Sequence, residues 1–327
     1  MSRIKTLMAI GLTLVLLLTA GCQRKDLMDP HDHYNLIIKA HFDSLALSQL
    51  LSHKSDGYTK PGEPKTTSYV LYEKTSEKVA YRGHFSGLDG GLYVEEGLYD
   101  LLVYTTDFNE YDANFFRGMD KLETAETHTR QSPLEPVKDT DVREMQMVEP
   151  DPTFSAIYKD ILILRGMEDQ YVDVDFVQKS FKYYLTIRCT GLQHIHTAKM
   201  NISGMYTTAF LSNEEHRMDE SGTQTVDMEI IRTKPTTEDE VGKGELYGEF
   251  WSFGPNLRED IVNSVTLYFV NGNVITKKLS DLTGQIKTLT RGGEIIVEEV
   301  IEIKGPAGGF QTGVGDWDDP TDIEIIL

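Results

Sequence analysis

The chain has 327 residues, of which 52 are acidic and 32 are basic, and its formal net charge is −20. An acidic surface of this kind argues against nucleic acid and anionic lipid as partners, because both carry the same sign of charge. The length suits two domains that bury sizeable cores. The two cysteines exclude a framework of several disulfides.

The N-terminus predicts a bacterial lipoprotein signal peptide over residues 1–21. Arg3 and Lys5 make a positive start, and an uncharged apolar run follows as far as Ala20. That run is too short to span a membrane, which needs about 20 apolar residues. Small residues precede Cys22, as a signal peptidase requires. We expect cleavage before Cys22, lipid on Cys22 and anchoring in the outer membrane. The alternative is an ordinary secretory signal.

Residues 22–33 are predicted to form a tether, because they are short, polar and contain a proline. Their histidines and aspartates raise a metal clip as an alternative, but a solvated spacer suits such crowded polar residues better. Residues 34–166 are predicted to form an N-terminal β-sandwich. Its first strand is expected at Tyr34–Phe42, where apolar and polar side chains alternate with the period of a half-buried strand.

Two stretches in this first half carry local signals. Gly97 stands between two apolar runs, and we expect it to take a positive φ in a tight turn. Tyr99 follows it in a Gly-x-Tyr sequence that is typical of prealbumin-like sandwiches, where the tyrosine packs at the sheet corner. By contrast, residues 109–136 are polar with few β-branched residues, so long loops or short helices are predicted there.

Residues 167–327 are predicted to form a second, C-terminal β-sandwich. Asn271 and Gly272 lie between two apolar runs, which is a strong signal for a β-hairpin. A final strand is expected at Asp322–Leu327, and its Ile323, Ile325 and Leu327 could pair with the chain's own sheet or with a partner. The interpretation that it closes the chain's own fold is preferred. Many short strands without a sustained helical period make the chain all-β.

The search for chemistry yields no phosphate-binding loop, nucleophile motif or metal-binding motif. Cys189 lies in an apolar stretch and is expected to be a small core residue on a strand. His194 and His196 lack a third metal ligand, so a solvent-facing pair near a turn is preferred. Asp316, Asp318 and Asp319 lack the spacing of a calcium loop. We therefore predict no enzyme, no catalytic residue, no metal and no cofactor.

Four features, in their order along the chain, resemble the fimbrillin-type lipoproteins of Bacteroidales. They are the lipobox cysteine with its histidine-containing tether, the strand that follows at once, a pair of mid-chain strands and a glycine-rich C-terminal stretch. In this sequence the last three are Tyr34–Phe42, Tyr184–Ile187 with Ala198–Met205, and Gly308–Asp318. The resemblance implies two tandem transthyretin-like β-sandwich domains and assembly by strand donation between subunits. It implies no catalytic residue.

Two functions follow from these expectations. The first is a lipid-anchored fimbrial anchor or accessory subunit that acts in cell adhesion, with other fimbrial subunits as partners and assembly by β-strand addition. The alternative is a surface lipoprotein that binds glycan or another nutrient. In that case Trp251, with Phe250 and Phe253 beside it, would provide an aromatic platform, although aromatics at this spacing are more often core residues. An apolar groove at a sheet edge would favour the first function.

Overall fold

The computed structural model describes residues 34–42, 65–107, 114–133, 145–164, 168–217, 219–235, 242–303 and 325–326. Strands dominate these residues. Helical structure in them is confined to the 3₁₀ turns Leu122–Thr124 and Leu192–His194 and to one short α-helix, Thr283–Thr288. The prediction of an all-β chain is therefore confirmed. No helix among the described residues is long and apolar enough to cross a membrane.

The first sheet has seven strands. They are β1 (Leu36–Phe42), β2 (Thr66–Glu73), β3 (Lys78–Ser86), β4 (Asp89–Leu92), β5 (Gly97–Asp107), β10 (Phe154–Ile163) and β11 (Gln170–Gln178). Their order is β3-β2-β5-β10-β11-β1-β4. The two end strands β3 and β4 are joined by only Gly87 and Leu88, so the sheet must curl back on itself. The apolar side chains that alternate along its strands then meet in one core between two layers.

The second sheet has ten strands. They are β8 (Gln131–Pro133), β9 (Met145–Met147), β12 (Phe181–Thr190), β13 (Ile195–Tyr206), β15 (Ser221–Arg232), β16 (Gly244–Ser252), β17 (Asn263–Phe269), β18 (Val274–Lys278), β19 (Gly293–Ile303) and β20 (Ile325–Ile326). The path runs β18-β17-β13-β15-β16-β12-β19-β20, and β9 joins β15 and β8 beside it. β15 pairs with β13 up to Met228 and with β16 from Glu229 onward. It thus links the two groups of strands that enclose the larger core.

A small third sheet corrects one prediction. Residues 109–136 were expected to form loops or short helices, but their described part contains β6 (Asn114–Arg117), β7 (Glu126–Thr129) and β8. β6 and β7 form a three-stranded sheet with β14 (Thr208–Phe210). The partner strand β14 comes much later in the chain, so no local pattern in the sequence indicates this pairing. The sheet covers an outer face of β2 and β5 with a third apolar cluster.

The first sheet extends past the predicted boundary between residues 166 and 167. That boundary separates β10 from β11, yet β11 pairs with both β10 and β1. The polar residues at the boundary only connect two strands of one sheet, which is why they interrupt the apolar pattern. The division into two domains stays a prediction, and a boundary that keeps this sheet whole has to follow Gln178.

Two local predictions can be compared with the structure directly. The hairpin at Asn271 and Gly272 is confirmed, since β17 pairs with β18 and Gly272 has a φ of 88°. Gly97 was expected to need a positive φ and does not adopt one. Glycine is required there because a Cβ would lie 2.7 Å from the hydroxyl oxygen of Tyr99. Tyr99 is buried, and its hydroxyl donates to the carbonyl oxygen of Glu95 at 3.2 Å, as a corner tyrosine would.

Candidate assembly edge

The outer edge of β19 is the candidate site, because β19 lies next to the final strand of the chain. On its inner edge β19 runs parallel to β12, from Gly293 to Glu302. Both of its faces carry apolar side chains: Ile295, Val297 and Ile301 are buried, whereas Ile296 and Val300 are 40% and 46% exposed. A strand with apolar side chains on both faces can bind a further strand and contact its side chains.

Two elements cover parts of this outer edge. β20 pairs with its C-terminal end, where Ile325 and Ile326 lie opposite Ile303 and Glu302 in antiparallel register. Nearer its N-terminal end, the side-chain amide of Gln285 donates to the carbonyl oxygen of Ile296 and accepts from its N–H, both at 3.2 Å in the orientation that satisfies the two groups. Gln285 therefore forms the hydrogen bonds that a neighbouring strand would form.

The middle of the edge is irregular. The register with β12 shifts between Val297 and Val300, which marks a β-bulge. Glu298 lies in this bulge and is exposed. Bulges and charged residues are common means of preventing unwanted pairing at sheet edges. Between Gln285 and β20, no strand of the described residues pairs with the outer edge.

The predicted strand-exchange residues can be placed only in part. Ile325 pairs with Ile303 through the backbone, within the chain's own second sheet. Ile323 and Leu327 lie outside the described residues. The role of this segment in assembly stays a prediction. The structure identifies β19 as the strand with which this terminal segment pairs.

The segment between β9 and β10 contains a carboxylate of interest, Glu149, although the residue as a whole is exposed. Its Oε1 accepts the backbone N–H of Trp251 at 2.8 Å. Desolvation of this carboxylate group raises the pKa of Glu149 to about 7, against the smaller opposing effects of that hydrogen bond and of Lys182, even though much of the residue is open to solvent. The ammonium of Lys182 is itself buried and pairs with Glu249 at 2.6 Å.

The prediction that Trp251, Phe250 and Phe253 could form an exposed aromatic platform for glycan is wrong. The backbone of Trp251 belongs to β16, but its side chain packs into the core of the first sheet and is 7% exposed. Phe250 and Phe253 are buried as well. Trp251 joins the two sheets, and none of the three aromatic rings is available to a glycan.

The remaining sequence candidates are structural or lie elsewhere. Cys189 is buried on β12, and burial raises the pKa of its thiol to about 12, which confirms a core residue. His196 is exposed and His194 is half-buried beside a 3₁₀ turn. No group of three or more metal-ligating side chains occurs in the part of the chain that the structure describes. Cys22 and the acidic stretch 316–319 lie outside it.

Sequence patterns missed a cleft beside the third sheet, with a volume of 610 Å³. Arg117 and Arg217 both pair with Glu126, which is 1% exposed, and Arg117 also pairs with Glu220 at 2.5 Å. At the cleft wall the guanidinium of Arg130 lies 5.1 Å from the ring centre of Phe115. No local sequence pattern indicates this cleft, because its residues come from two segments that are distant in the chain, 115–131 and 217–221.

Residues 21–227 match a family described as a domain of unknown function, DUF5119. The chain belongs to this family. No curated protein matches the chain.

A solved structure of low sequence identity shares its architecture. A protein from Bacteroides ovatus, described as a "putative adhesin", is 16% identical with a TM-score of 0.56, over 88% of this chain and 98% of that one. This likeness shows the fold and confirms, at that level, the predicted resemblance to fimbrillin-type proteins.

Two proteins from Porphyromonas gingivalis are more distant in structure. The fimbrial anchor protein Mfa2 is 10% identical, with a TM-score of 0.43 over 82% of this chain and 89% of its own. The tip fimbrial protein Mfa3 is 11% identical, with a TM-score of 0.34 over 89% of this chain and 97% of its own.

Proposed function

We propose that the chain is a lipid-anchored protein of the cell envelope that acts as a fimbrial anchor or accessory subunit in cell adhesion. The observation that carries the proposal is the fold, which is shared with the Bacteroides ovatus protein described as an adhesin over nearly the whole of both chains. Cys22 attaches the chain to the outer membrane, and fimbrial subunits are its partners. The chain has no catalytic role.

Assembly occurs by strand addition at the outer edge of β19. In the free molecule β20 covers only Glu302 and Ile303 of that edge, so an incoming strand displaces few backbone hydrogen bonds. The incoming strand gains main-chain hydrogen bonds along β19 and contacts the exposed side chains of Ile296 and Val300. A partner strand longer than β20 would therefore pair with more of the β19 edge than β20 does.

A disulfide across the β19–β20 pair tests this proposal. Ile303 and Ile325 are opposite each other, so cysteines introduced at both positions lock β20 onto the edge when oxidised. The variant is made in residues 23–327 with Cys189→Ala, which leaves no other thiol. We expect fimbrial subunits from an expressing strain to co-purify with the reduced form and not with the oxidised form.

The reduced form of the same variant is the control, because it differs only in the disulfide. Equal recovery of fimbrial subunits with both forms would exclude the β19 edge as the assembly site. Recovery with neither form, and none with the parent chain, would exclude the fimbrial role itself.

A further inference from the structure

Three exposed tyrosines lie at the end of the first sheet where the described chain begins. Tyr34 is 42% exposed, Tyr93 is 60% exposed and Tyr171 is 59% exposed. We name these three residues the tyrosine patch. Tyr34 precedes β1, Tyr93 follows β4, and Tyr171 lies near the start of β11. A contiguous exposed patch of apolar rings often marks an interaction surface, whereas single exposed apolar side chains are common.

Strand register places two of these rings on one face. Ile37 of β1 lies opposite both Gly91 and Tyr171. A Cβ at Gly91 would lie 2.5 Å from the ring of Tyr34, so that ring rests on the backbone of Gly91. Since Leu36 and Ile38 face the core, the Ile37 row is the outer face of the sheet. Tyr34 and Tyr171 therefore flank Ile37 on the outside.

The position of the patch along the chain indicates what it contacts. Tyr34 is the residue that follows the predicted tether, and eleven residues separate it from Cys22. Fully extended, they reach at most about 40 Å. Lipid on Cys22 would thus hold this end of the first sheet close to a bilayer.

We propose that the tyrosine patch rests in the headgroup region of the membrane that holds the lipid on Cys22. Tyrosine suits that layer because its ring is apolar and its hydroxyl can stay hydrated. The contact would hold the start of β11 at the bilayer, and the chain enters the second sheet from the opposite end of β11. The inference rests on the lipid attachment in the proposed function and names the surface that this attachment brings into contact.

The charges around the patch select the lipid. Lys39 lies 5.3 Å from the ring centre of Tyr171 and supplies one cation. The same face carries Asp89 and Asp173, and Glu95 and Glu96 follow Tyr93. This excess of carboxylates repels anionic headgroups. The patch therefore fits a zwitterionic surface such as phosphatidylcholine, and contact weakens as anionic lipid is added.

A tryptophan reporter tests the contact in the full lipidated chain. Tyr171→Trp keeps an amphipathic ring in the patch, whereas Val270→Trp places one in the exposed β17–β18 turn as the matched control. Both are reconstituted into phosphatidylcholine vesicles with brominated acyl chains, and the emission of the parent chain is subtracted. We expect Tyr171→Trp to lose emission and Val270→Trp to keep it. Added phosphatidylglycerol should reduce the loss.

Flotation of the vesicles separates the possible failures. If the parent chain floats but both reporters keep their emission, the lipid attachment stands and the patch proposal is overturned. If the parent chain does not float, the lipid attachment and the patch proposal are both overturned. The emission of Tyr171→Trp could instead stay constant with vesicles and shift when soluble mannan is added. That result would mean that the patch binds saccharide, and it would overturn the membrane contact.

Discussion

At the scale of single residues, the buried Glu126 and the more exposed Glu149 differ in how their charge is balanced. Glu126 is held between the guanidinium groups of Arg117 and Arg217. Glu149 accepts one backbone N–H, and the nearby Lys182 is already paired with Glu249. A carboxylate that is partly desolvated and has no close cation is less stable in its ionised form than one in free solution. The stability of the protein should therefore depend on the protonation of Glu149.

We expect Glu149→Gln to stabilise the protein at pH 8 and to leave it nearly unchanged at pH 5. The folded-state pKa of Glu149 is raised from 4.5 to about 7, so stability is lost as the pH rises through that range. Because Glu149 is an exposed residue, solvent screening limits the gain from the substitution at pH 8 to about 1 kcal/mol. Urea unfolding at both pH values measures it.

The exposed carboxylate of Glu298 provides the control for this comparison. Glu298→Gln should change stability little at either pH, because this exposed charge lies in the bulge of β19 and has no part in the contact with Trp251. A Glu149→Gln chain that gains no stability between pH 5 and pH 8 would show that Glu149 is ionised at no cost in the folded state.

Tyr99→Phe tests the corner tyrosine of the first sheet. The substitution keeps the buried ring and removes the hydroxyl that donates to Glu95. We expect a loss of about 1 kcal/mol in the free energy of unfolding, the usual size for one hydrogen bond. Tyr158→Phe, at an exposed tyrosine, is the matched control and should be neutral. Equal effects of the two variants would mean that the corner bond contributes nothing.

At the scale of elements, the outer edge of β19 is protected by several weak interactions that a partner strand could replace. Its inner edge is fully engaged by β12, which holds the strand in place. Its outer edge is covered by a side chain at Ile296, distorted by a bulge and paired with only two residues of β20. Each cover is small, so a partner strand competes with weak interactions.

Removing residues 321–327 should lower the melting temperature of the isolated protein. The deletion takes away β20 and exposes the backbone of Glu302 and Ile303 at the edge. Thermal unfolding followed by circular dichroism measures the shift, and a peptide of residues 321–327 added in trans should recover part of it. A truncated chain that melts like the full-length one would assign the terminal segment to a partner.

At the scale of the whole molecule, the chain passes between the sheets more than once. It leaves the first sheet after β5, contributes β8 and β9 to the second sheet, and returns for β10 and β11. It then enters the second sheet again at β12, where the backbone N–H groups of Lys179 and Ser180 donate to the carbonyl oxygen of Thr153. Repeated crossings and buried side chains such as Trp251 couple the two sheets.

Cys22→Ala should release the whole molecule from the membrane. The expected change follows from the loss of the residue that would carry the lipid, since stable anchoring of this kind depends on acyl chains. Membrane fractionation and labelled palmitate measure it, and Cys189→Ala is the matched control that should stay lipidated. Unchanged fractionation and labelling of Cys22→Ala would exclude the anchor.

The sequence by itself determined the class of the fold and much of its local structure. Strand alternation at Tyr34–Phe42, the hairpin at Asn271–Gly272 and the buried Cys189 could be predicted because each depends on neighbouring residues. The tertiary structure alone decided which strands share a sheet, that Trp251 is a core residue, and that β19 is the edge beside the terminal strand. Those features depend on partners distant in the chain, and a strand's pattern of alternation does not encode which strand it pairs with.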